Sequence, residues 1–125
     1  MKPLKVGIVG PCASGKTTLT MGLKQYGFEA RPIAQEHSYV PTMWQRLTNP
    51  DVLIYLEVSF PRTIERRQLD WTYEEYAEQL HRLRHAHANA DLHIDTDHRS
   101  VREVLGQALA FLSSYQSPLD PSNWE

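Results

Sequence analysis

A short glycine-rich stretch, GPCASGKTTL, carries the clearest chemical pattern of the chain. Its residues Gly10, Gly15, Lys16 and Thr17 match the pattern G-x-x-x-x-G-K-[ST]. In such a loop, glycines let backbone N–H groups converge on phosphate oxygens, and the following helix adds the positive end of its dipole. The lysine reaches the terminal phosphates, and the threonine hydroxyl binds Mg²⁺. The pattern therefore predicts a phosphate-binding loop.

The flanking elements give this stretch the setting that the chemistry requires. Residues 4–9 are an apolar run typical of a buried strand, and residues 17–26 repeat apolar side chains at helical spacing up to Gly27. With glycine at about 7% and lysine at a similar frequency, a chance match is on the order of 1%. We interpret Cys12 as a small residue that the loop tolerates. The phosphate-binding prediction covers Gly10, Pro11, Cys12, Ala13, Ser14, Gly15, Lys16, Thr17 and Thr18.

Strand and helix patterns alternate along the rest of the chain. Strands are predicted at residues 4–9, 28–38, 51–58 and 90–96. Helices are predicted at residues 17–26, 41–47, 61–68 and 73–88, and from residue 101 onwards. This alternation predicts a three-layer α/β fold, with a parallel sheet of about four strands in the spatial order 2-1-3-4 and helices on both sides. We expect one domain over residues 1–115 and a loose tail over residues 116–125.

Two further stretches resemble a known family. NPDVLIYLEVSFPRTIERR, residues 49–67, is similar to the segment of P-loop small-molecule kinases, the nucleoside and nucleotide kinase-like group, that runs from their fourth strand into an arginine-bearing helix. ADLHIDTDHRSVREVLGQALAFL, residues 90–112, resembles the final strand, adenine-side loop and last helix of the same group. With the first thirty residues, the resemblance covers most of the chain. The N-K-x-D and D-x-x-G motifs of GTPases are missing from the sequence.

The resemblance implies a P-loop NTPase fold that binds ATP and Mg²⁺ and transfers a phosphoryl group to a small-molecule acceptor. It implies that Lys16 neutralises phosphate charge and that Arg66 clamps the transferring group as part of a lid. It also places Arg62 and Asp97 against the nucleotide. Thr17 is the first predicted metal ligand.

The acidic partner of Thr17 has two candidates. Glu36 lies in the AQEH segment, which we expect to close the second strand, where the resembling kinases keep the acid of the Mg²⁺ shell. Glu57 ends the strongest strand pattern, VLIYLE. The sequence favours Glu36 and leaves Glu57 open.

The departures from the family pattern keep other functions open. Residues 28–50 are too few for the two strands and acceptor-binding helices of the resembling kinases, and the lid at residues 68–72 is short. A non-enzymatic ATP sensor and a simple NTPase are the alternatives. Residues 36–47 should distinguish them, since an enzyme needs converging polar groups there and a sensor needs an exposed apolar patch.

The charge balance, the apolar runs and the cysteine count exclude several classes of partner and of site. Thirteen Lys and Arg residues against 15 Asp and Glu residues argue against nucleic acid as a partner, and no apolar run approaches the length of about 20 residues of a membrane span. A single cysteine excludes an internal disulfide and fits a cytoplasmic protein.

His81 and His85 have the spacing of a Zn²⁺ or Ni²⁺ pair, but we interpret them as a solvated helix face. Trp44 is expected at the core or at a site edge. The oligomeric state is not indicated.

Overall fold

The computed structural model describes residues 4–67 and 70–116. Its strands are β1 (Lys5–Val9), β2 (Glu29–Pro32), β3 (Val52–Glu57) and β4 (Leu92–Asp95). Its helices are α1 (Lys16–Gln25), α2 (Met43–Leu47), α3 (Phe60–Arg67), α4 (Tyr73–Arg82), α5 (Arg84–Asn89) and α6 (Val101–Gln116). A 3₁₀ turn covers Gln35–His37. No described helix is both long and apolar enough to cross a membrane.

The four strands form one parallel sheet in the order β2-β1-β3-β4, which confirms the predicted order. Ile8 of β1 stands opposite Ile54 of β3, and Leu56 stands opposite Ile94 of β4. The weakest strand pattern, β2, lies at the edge, where Pro32 can pair with Ile8 although it has no N–H to donate. The carboxyl ends of all four strands therefore meet at one edge of the sheet.

Side chains of β1 and β3 alternate between two separate cores, which gives the fold three layers. One core packs Val6, Ile8, Val52, Ile54 and Leu56 against helices α1 and α6. The other packs Val9, Leu53 and Tyr55 against Trp44 of α2 and the buried side of α5. Full burial of one such apolar side chain contributes about 1.5–3 kcal/mol to folding. A central strand covered on both faces explains why VLIYLE is apolar at nearly every position.

Two predicted elements differ in the structure. The second strand was expected to run to residue 38, but it ends at Pro32 because the chain makes its last bond to β1 at Ile33, whose N–H donates to the Ile8 carbonyl at 2.8 Å. Glu36 lies in the 3₁₀ turn and not at a strand end. The single helix expected over residues 73–88 is interrupted at Leu83, whose N–H is shared between the Gln79 and Leu80 carbonyls.

The last residue of one predicted helix and most of the predicted C-terminal tail lie outside the residues that the structure describes. Helix α3 ends at Arg67, and the predicted last residue of that helix, residue 68, is outside the described residues. Helix α6 reaches Gln116, the first residue of the predicted tail. The rest of that tail, residues 117–125, is also outside the described residues.

Candidate functional site

The glycine-rich loop connects β1 to α1, as the sequence predicts. A Cβ at Gly10 would lie 2.6 Å from the Leu56 carbonyl oxygen, so this position requires glycine for close approach to β3. Gly15 has φ of 99°, a left-handed conformation that favours glycine, and Ala13 has φ of 67°. The glycine positions of the motif are therefore conformational requirements of the turn.

The loop ends on an uncapped helix N-terminus. Gly15 is the N-cap of α1 and has no side chain to accept a hydrogen bond. Within residues 4–67 and 70–116, the N–H groups of residues 15–18 donate to no protein acceptor. Thr17 and Thr18 are exposed in this first turn. Free N–H groups and the helix dipole make this end of α1 attractive to an anion.

Lys16 folds back over the loop. Its Nζ lies 2.8 Å from the Gly10 carbonyl oxygen, 3.2 Å from that of Pro11 and 2.8 Å from Glu36 Oε2. The two side chains of the ion pair are only 13% and 5% exposed. The structure thus brings the predicted phosphate-binding lysine and one of the two candidate acids into direct contact.

Two buried side-chain oxygens, Oε1 of Glu36 in this pair and Oγ of Ser14 in the glycine-rich loop, have no hydrogen-bond partner among the described residues. An unsatisfied buried polar atom costs free energy, and native structures contain few of them. Each is therefore a position at which a ligand or a cation would be stabilised.

Glu57, the second candidate acid, lies elsewhere. Its side chain is 46% exposed, and its Oε1 is 3.1 Å from His87 Nε2. Thr17 makes no hydrogen bond to either acid within the described part of the chain. Of the two carboxylates, Glu36 alone is seen to contact the loop lysine.

A cleft of about 780 Å³ opens on one side of the loop. It gathers seven of the predicted site residues in one place, six predicted to bind the nucleotide and Arg66 predicted to be catalytic. They are Ala13, Ser14, Gly15, Thr18, Arg62, Arg66 and Asp97. The opposite wall is apolar and comes from α6, including Val104 and Leu105. The cleft therefore has a polar end at the loop and an apolar end at the last helix.

Two of the three arginines of α3, Arg62 and Arg66, bind the loop that follows β4. Arg66 Nη1 donates to the Ala13 carbonyl and to Thr96 Oγ1, each at 3.0 Å, and Nη2 donates to the Thr96 carbonyl. Arg62 donates from Nε and Nη2 to the Asp97 carbonyl at 2.8 and 2.6 Å. Arg66 therefore bridges the glycine-rich loop and the β4–α6 loop.

The carboxylate of Asp97 is favoured in its ionised form. Burial alone would raise its pKa, but hydrogen bonds from Ser59 and the positive charges of His98 and Arg66 together hold that pKa below its usual value. Asp97 therefore lines the cleft as a carboxylate.

A second, smaller cleft of about 350 Å³ lies on the other side of the loop, with Pro11 in its wall. Its polar groups are Glu57, Arg84 and His87. Burial raises the pKa of Tyr55 in the same wall, and the charge of Glu57 adds to this effect, so the phenol stays protonated. The cleft therefore joins a carboxylate, an imidazole and a guanidinium near the carboxyl end of β3.

Sequence reasoning missed Gln79 and His37. Gln79 is 7% exposed, and its Oε1 accepts the Cys12 N–H at 2.9 Å while its Nε2 donates to Cys12 Sγ at 3.1 Å. A polar residue three positions after Tyr76 on the apolar face of α4 was the available signal for Gln79. His37 Nε2 lies 3.8 Å from Cys12 Sγ, a contact that the sequence spacing of 25 residues gave no means to predict.

Of the remaining aromatic and histidine candidates, Trp44 belongs to the second core, and His85 contacts it. Trp44 is 6% exposed and packs against Leu53 and Leu83, and its Nε1 donates to His85 Nδ1 at 3.1 Å. His81 is exposed. The His85 ring thus contacts Trp44 of α2.

Comparison with known proteins leaves the function to be argued from this geometry. No protein-family model matches the chain, and no curated protein matches it.

Proposed function

We propose that the chain binds the triphosphate of Mg-ATP at residues 10–18 and transfers the γ-phosphoryl group to a small-molecule acceptor. The observation that carries this proposal is the position of Lys16, whose ammonium group lies beside an uncapped helix N-terminus within 2.8 Å of Glu36. Converging N–H groups, a lysine and a buried acid are the parts that phosphoryl-transfer sites use.

Lys16 would act by exchanging partners. Its bonds to the Gly10 and Pro11 carbonyls are replaced by bonds to phosphate oxygens, which are stronger because both partners are charged. Thr17 and Glu36 would hold Mg²⁺, which neutralises charge between the β- and γ-phosphates when it is bound. The unpartnered Glu36 Oε1 fits this role, since a cation would satisfy a buried oxygen that the protein leaves free.

The two clefts would receive the two substrates. Ala13, Ser14 and Gly15 line the larger cleft, whose apolar α6 wall suits the face of a purine base, and Asp97 stands at its rim. Pro11 lines the smaller cleft, where Glu57 or its partner His87 would accept the proton of an acceptor hydroxyl. The acceptor oxygen then bonds to the γ-phosphorus as the bond to the bridging oxygen of ADP breaks. Arg66 would stabilise charge on the migrating group.

The decisive experiment is single-turnover incubation of the full chain with γ-labelled Mg-ATP and panels of hydroxyl- and amine-bearing metabolites. Transfer of label that Lys16→Ala abolishes supports the kinase proposal. Release of label to water alone would make the protein an NTPase. Tight ATP binding with neither reaction would refute phosphoryl transfer and favour a sensor.

One observation favours the sensor as a second candidate. Residues 36–47 expose three apolar side chains, with Tyr39 83%, Leu47 75% and Val40 43% exposed. The Arg82 guanidinium stacks over the Tyr39 ring at 4.3 Å, and Arg82 also contacts the Glu36 carbonyl. The segment that contains Glu36 is therefore continuous with apolar surface. If this candidate is right, Mg-ATP should alter amide hydrogen exchange across residues 36–47, and unchanged exchange at saturating Mg-ATP would refute it.

A further inference from the structure

Three side chains of different chemistry meet at the first turn of the phosphate-binding loop. Cys12, Glu36 and His37 offer a thiol, a carboxylate and an imidazole whose ligand atoms all lie within 4.8 Å of one another. Cys12 Sγ is 3.8 Å from His37 Nε2, which in turn is 3.8 Å from Glu36 Oε2. We propose that these residues bind a transition-metal cation of the Zn²⁺ class, with the fourth position left for water or an exogenous ligand.

The donor set selects the metal. Mg²⁺ and Ca²⁺ prefer oxygen ligands alone, whereas thiolate and imidazole ligands favour Zn²⁺ and its neighbours. Three protein ligands with one open position are the arrangement of reactive zinc sites rather than of closed structural ones. This site is thus distinct in chemistry from the Mg²⁺ site proposed above, although the two share Glu36.

The spacing of the donors is close to that of a bound ion. Zinc bonds of about 2.3 Å to sulfur and about 2.0 Å to nitrogen, at a tetrahedral angle, place the two ligand atoms about 3.5 Å apart. The distance between Cys12 Sγ and His37 Nε2 is 3.8 Å. A shift of a few tenths of an ångström at the exposed His37 side chain closes the difference.

A second observation points to a cation independently of the spacing. The Glu36 side chain is 5% exposed, and its Oε1 has no hydrogen-bond partner within the described residues. Lys16 satisfies only Oε2. A cation that Glu36 bound through Oε1 would supply the missing partner and remove the cost of the unsatisfied oxygen.

Gln79 holds the sulfur ligand in place. Its Nε2 donates to Cys12 Sγ at 3.1 Å, and its Oε1 accepts the Cys12 N–H at 2.9 Å. Hydrogen bonds from surrounding groups fix the orientation of metal ligands, and their loss typically weakens metal binding 10- to 100-fold. The buried amide of Gln79 therefore has a role here that packing alone does not explain.

Two positively charged side chains near Glu36 oppose binding of the metal cation. The Lys16 ammonium is 2.8 Å from Glu36 Oε2, and the Arg82 guanidinium is 3.5 Å from the Glu36 carbonyl. Removal of the lysine charge should therefore strengthen metal binding by about tenfold or more. The same substitution should weaken ATP binding, so Lys16 separates the metal site from the nucleotide site by the sign of its effect. This contrast rests on the proposed function, whereas the metal site itself does not.

The test uses Co²⁺ alone, added to the reduced full-length protein without nucleotide. Cys12 is the single cysteine of the 125-residue chain, so a thiolate-to-cobalt charge-transfer band reports this site. Wild type should show the band together with the strong visible absorption of four-coordinate cobalt, and Zn²⁺ should displace both. Cys12→Ser should lose the band. His37→Gln and Glu36→Gln should each weaken Co²⁺ binding at least tenfold.

His81→Gln is the matched control, because it removes an exposed histidine from α4 and should leave the cobalt titration unchanged. Circular dichroism of each variant checks that it is folded. The proposal is overturned if folded wild type shows no charge-transfer band at millimolar Co²⁺. It is equally overturned if His37→Gln and Glu36→Gln bind Co²⁺ as wild type does. Neither outcome bears on ATP binding, which is measured separately.

Discussion

Lys16 and Glu36 form a nearly buried ion pair, with Nζ 2.8 Å from Oε2, between the first residue of α1 and the 3₁₀ turn that follows β2. The same lysine also bridges the Gly10 and Pro11 carbonyls, so the pair joins the two ends of the loop to a neighbouring strand connection. A charged pair with little access to water is costly to break from one side only. The Lys16–Glu36 pair therefore stabilises the fold and also lies at the centre of the proposed site.

Substitution of one residue of the Lys16–Glu36 pair should show how much the pair contributes to stability. Lys16→Ala leaves the Glu36 carboxylate buried without its cation and should lower the free energy of unfolding by about 3 kcal/mol. Adding Glu36→Gln to Lys16→Ala should restore much of that stability, because no uncompensated charge remains. Urea unfolding of the wild type, both single variants and the double variant provides a double-mutant cycle. Strictly additive effects would show that the pair is not coupled.

Substitution of Glu36 and substitution of Glu57 should differ in their effect on the Mg²⁺ dependence of ATP binding. Glu36→Gln is expected to abolish the Mg²⁺-dependent part of ATP binding, because Glu36 contacts Lys16 beside the loop. Glu57→Gln should have little effect on it, since Glu57 pairs with His87 in the smaller cleft. Calorimetric titration with ATP, with and without Mg²⁺, measures both. The reverse result would transfer the metal role to Glu57.

The sequence predicted the sheet because its signals were local and consistent. The continuous apolar run of β3 and the alternating strands and helices define a parallel sheet, and the glycine-rich motif lies where β1 meets α1. Glu36 was expected at a strand end, but Pro32 ends β2 early. Its approach to Lys16 depends on a 3₁₀ turn whose geometry the sequence pattern does not encode. The apolar face of α4 marks Gln79 as unusual, but the contacts of Gln79 and His37 with Cys12 join distant parts of the chain, so no local signal identifies Cys12 as their partner.

Phosphates should account for most of the ligand stabilisation. A ligand that binds only the native state at a hundredfold excess over its Kd adds about 2.7 kcal/mol to the free energy of unfolding. Mg-ATP and Mg-ADP should therefore raise the melting temperature, whereas adenosine, which would contact only the apolar part of the larger cleft under this proposal, should raise it far less. Differential scanning fluorimetry measures the shifts. Equal shifts for adenosine and ATP would contradict a phosphate-binding loop.

Asp97 should stabilise the fold in a pH-dependent way. Its pKa is held below the ordinary value of 3.8, so ionised Asp97 favours the native state above that pH, and the contribution is lost as the pH falls through the lowered pKa. Asp97→Asn should therefore destabilise the protein at pH 6, and the difference from wild type should shrink below about pH 3.8. Asp70→Asn, at an exposed position, is the control. A pH-independent difference would show that the carboxylate charge is not involved.

Arg66 should act on turnover more than on ATP affinity. Its guanidinium lies between the Ala13 carbonyl and Thr96 at the rim of the larger cleft, where charge on the migrating phosphoryl group would develop. Loss of one contact made only in the transition state costs about 1.4 kcal/mol or more, which is tenfold or more in rate. Arg66→Ala should therefore lower the single-turnover rate at least tenfold while the Kd for ATP changes less.

Arg67→Ala provides the matched control, because Arg67 is an exposed arginine on the same last turn of α3. The measurement is loss of labelled γ-phosphate under single-turnover conditions, to the acceptor where one is found and to water otherwise. If Arg66→Ala weakens ATP binding and rate equally, the arginine holds the ground state, and its bonds to Ala13 and Thr96 are structural. If Arg67→Ala slows turnover as much as Arg66→Ala does, the effect comes from the net charge of α3 and not from the bridge between the two loops.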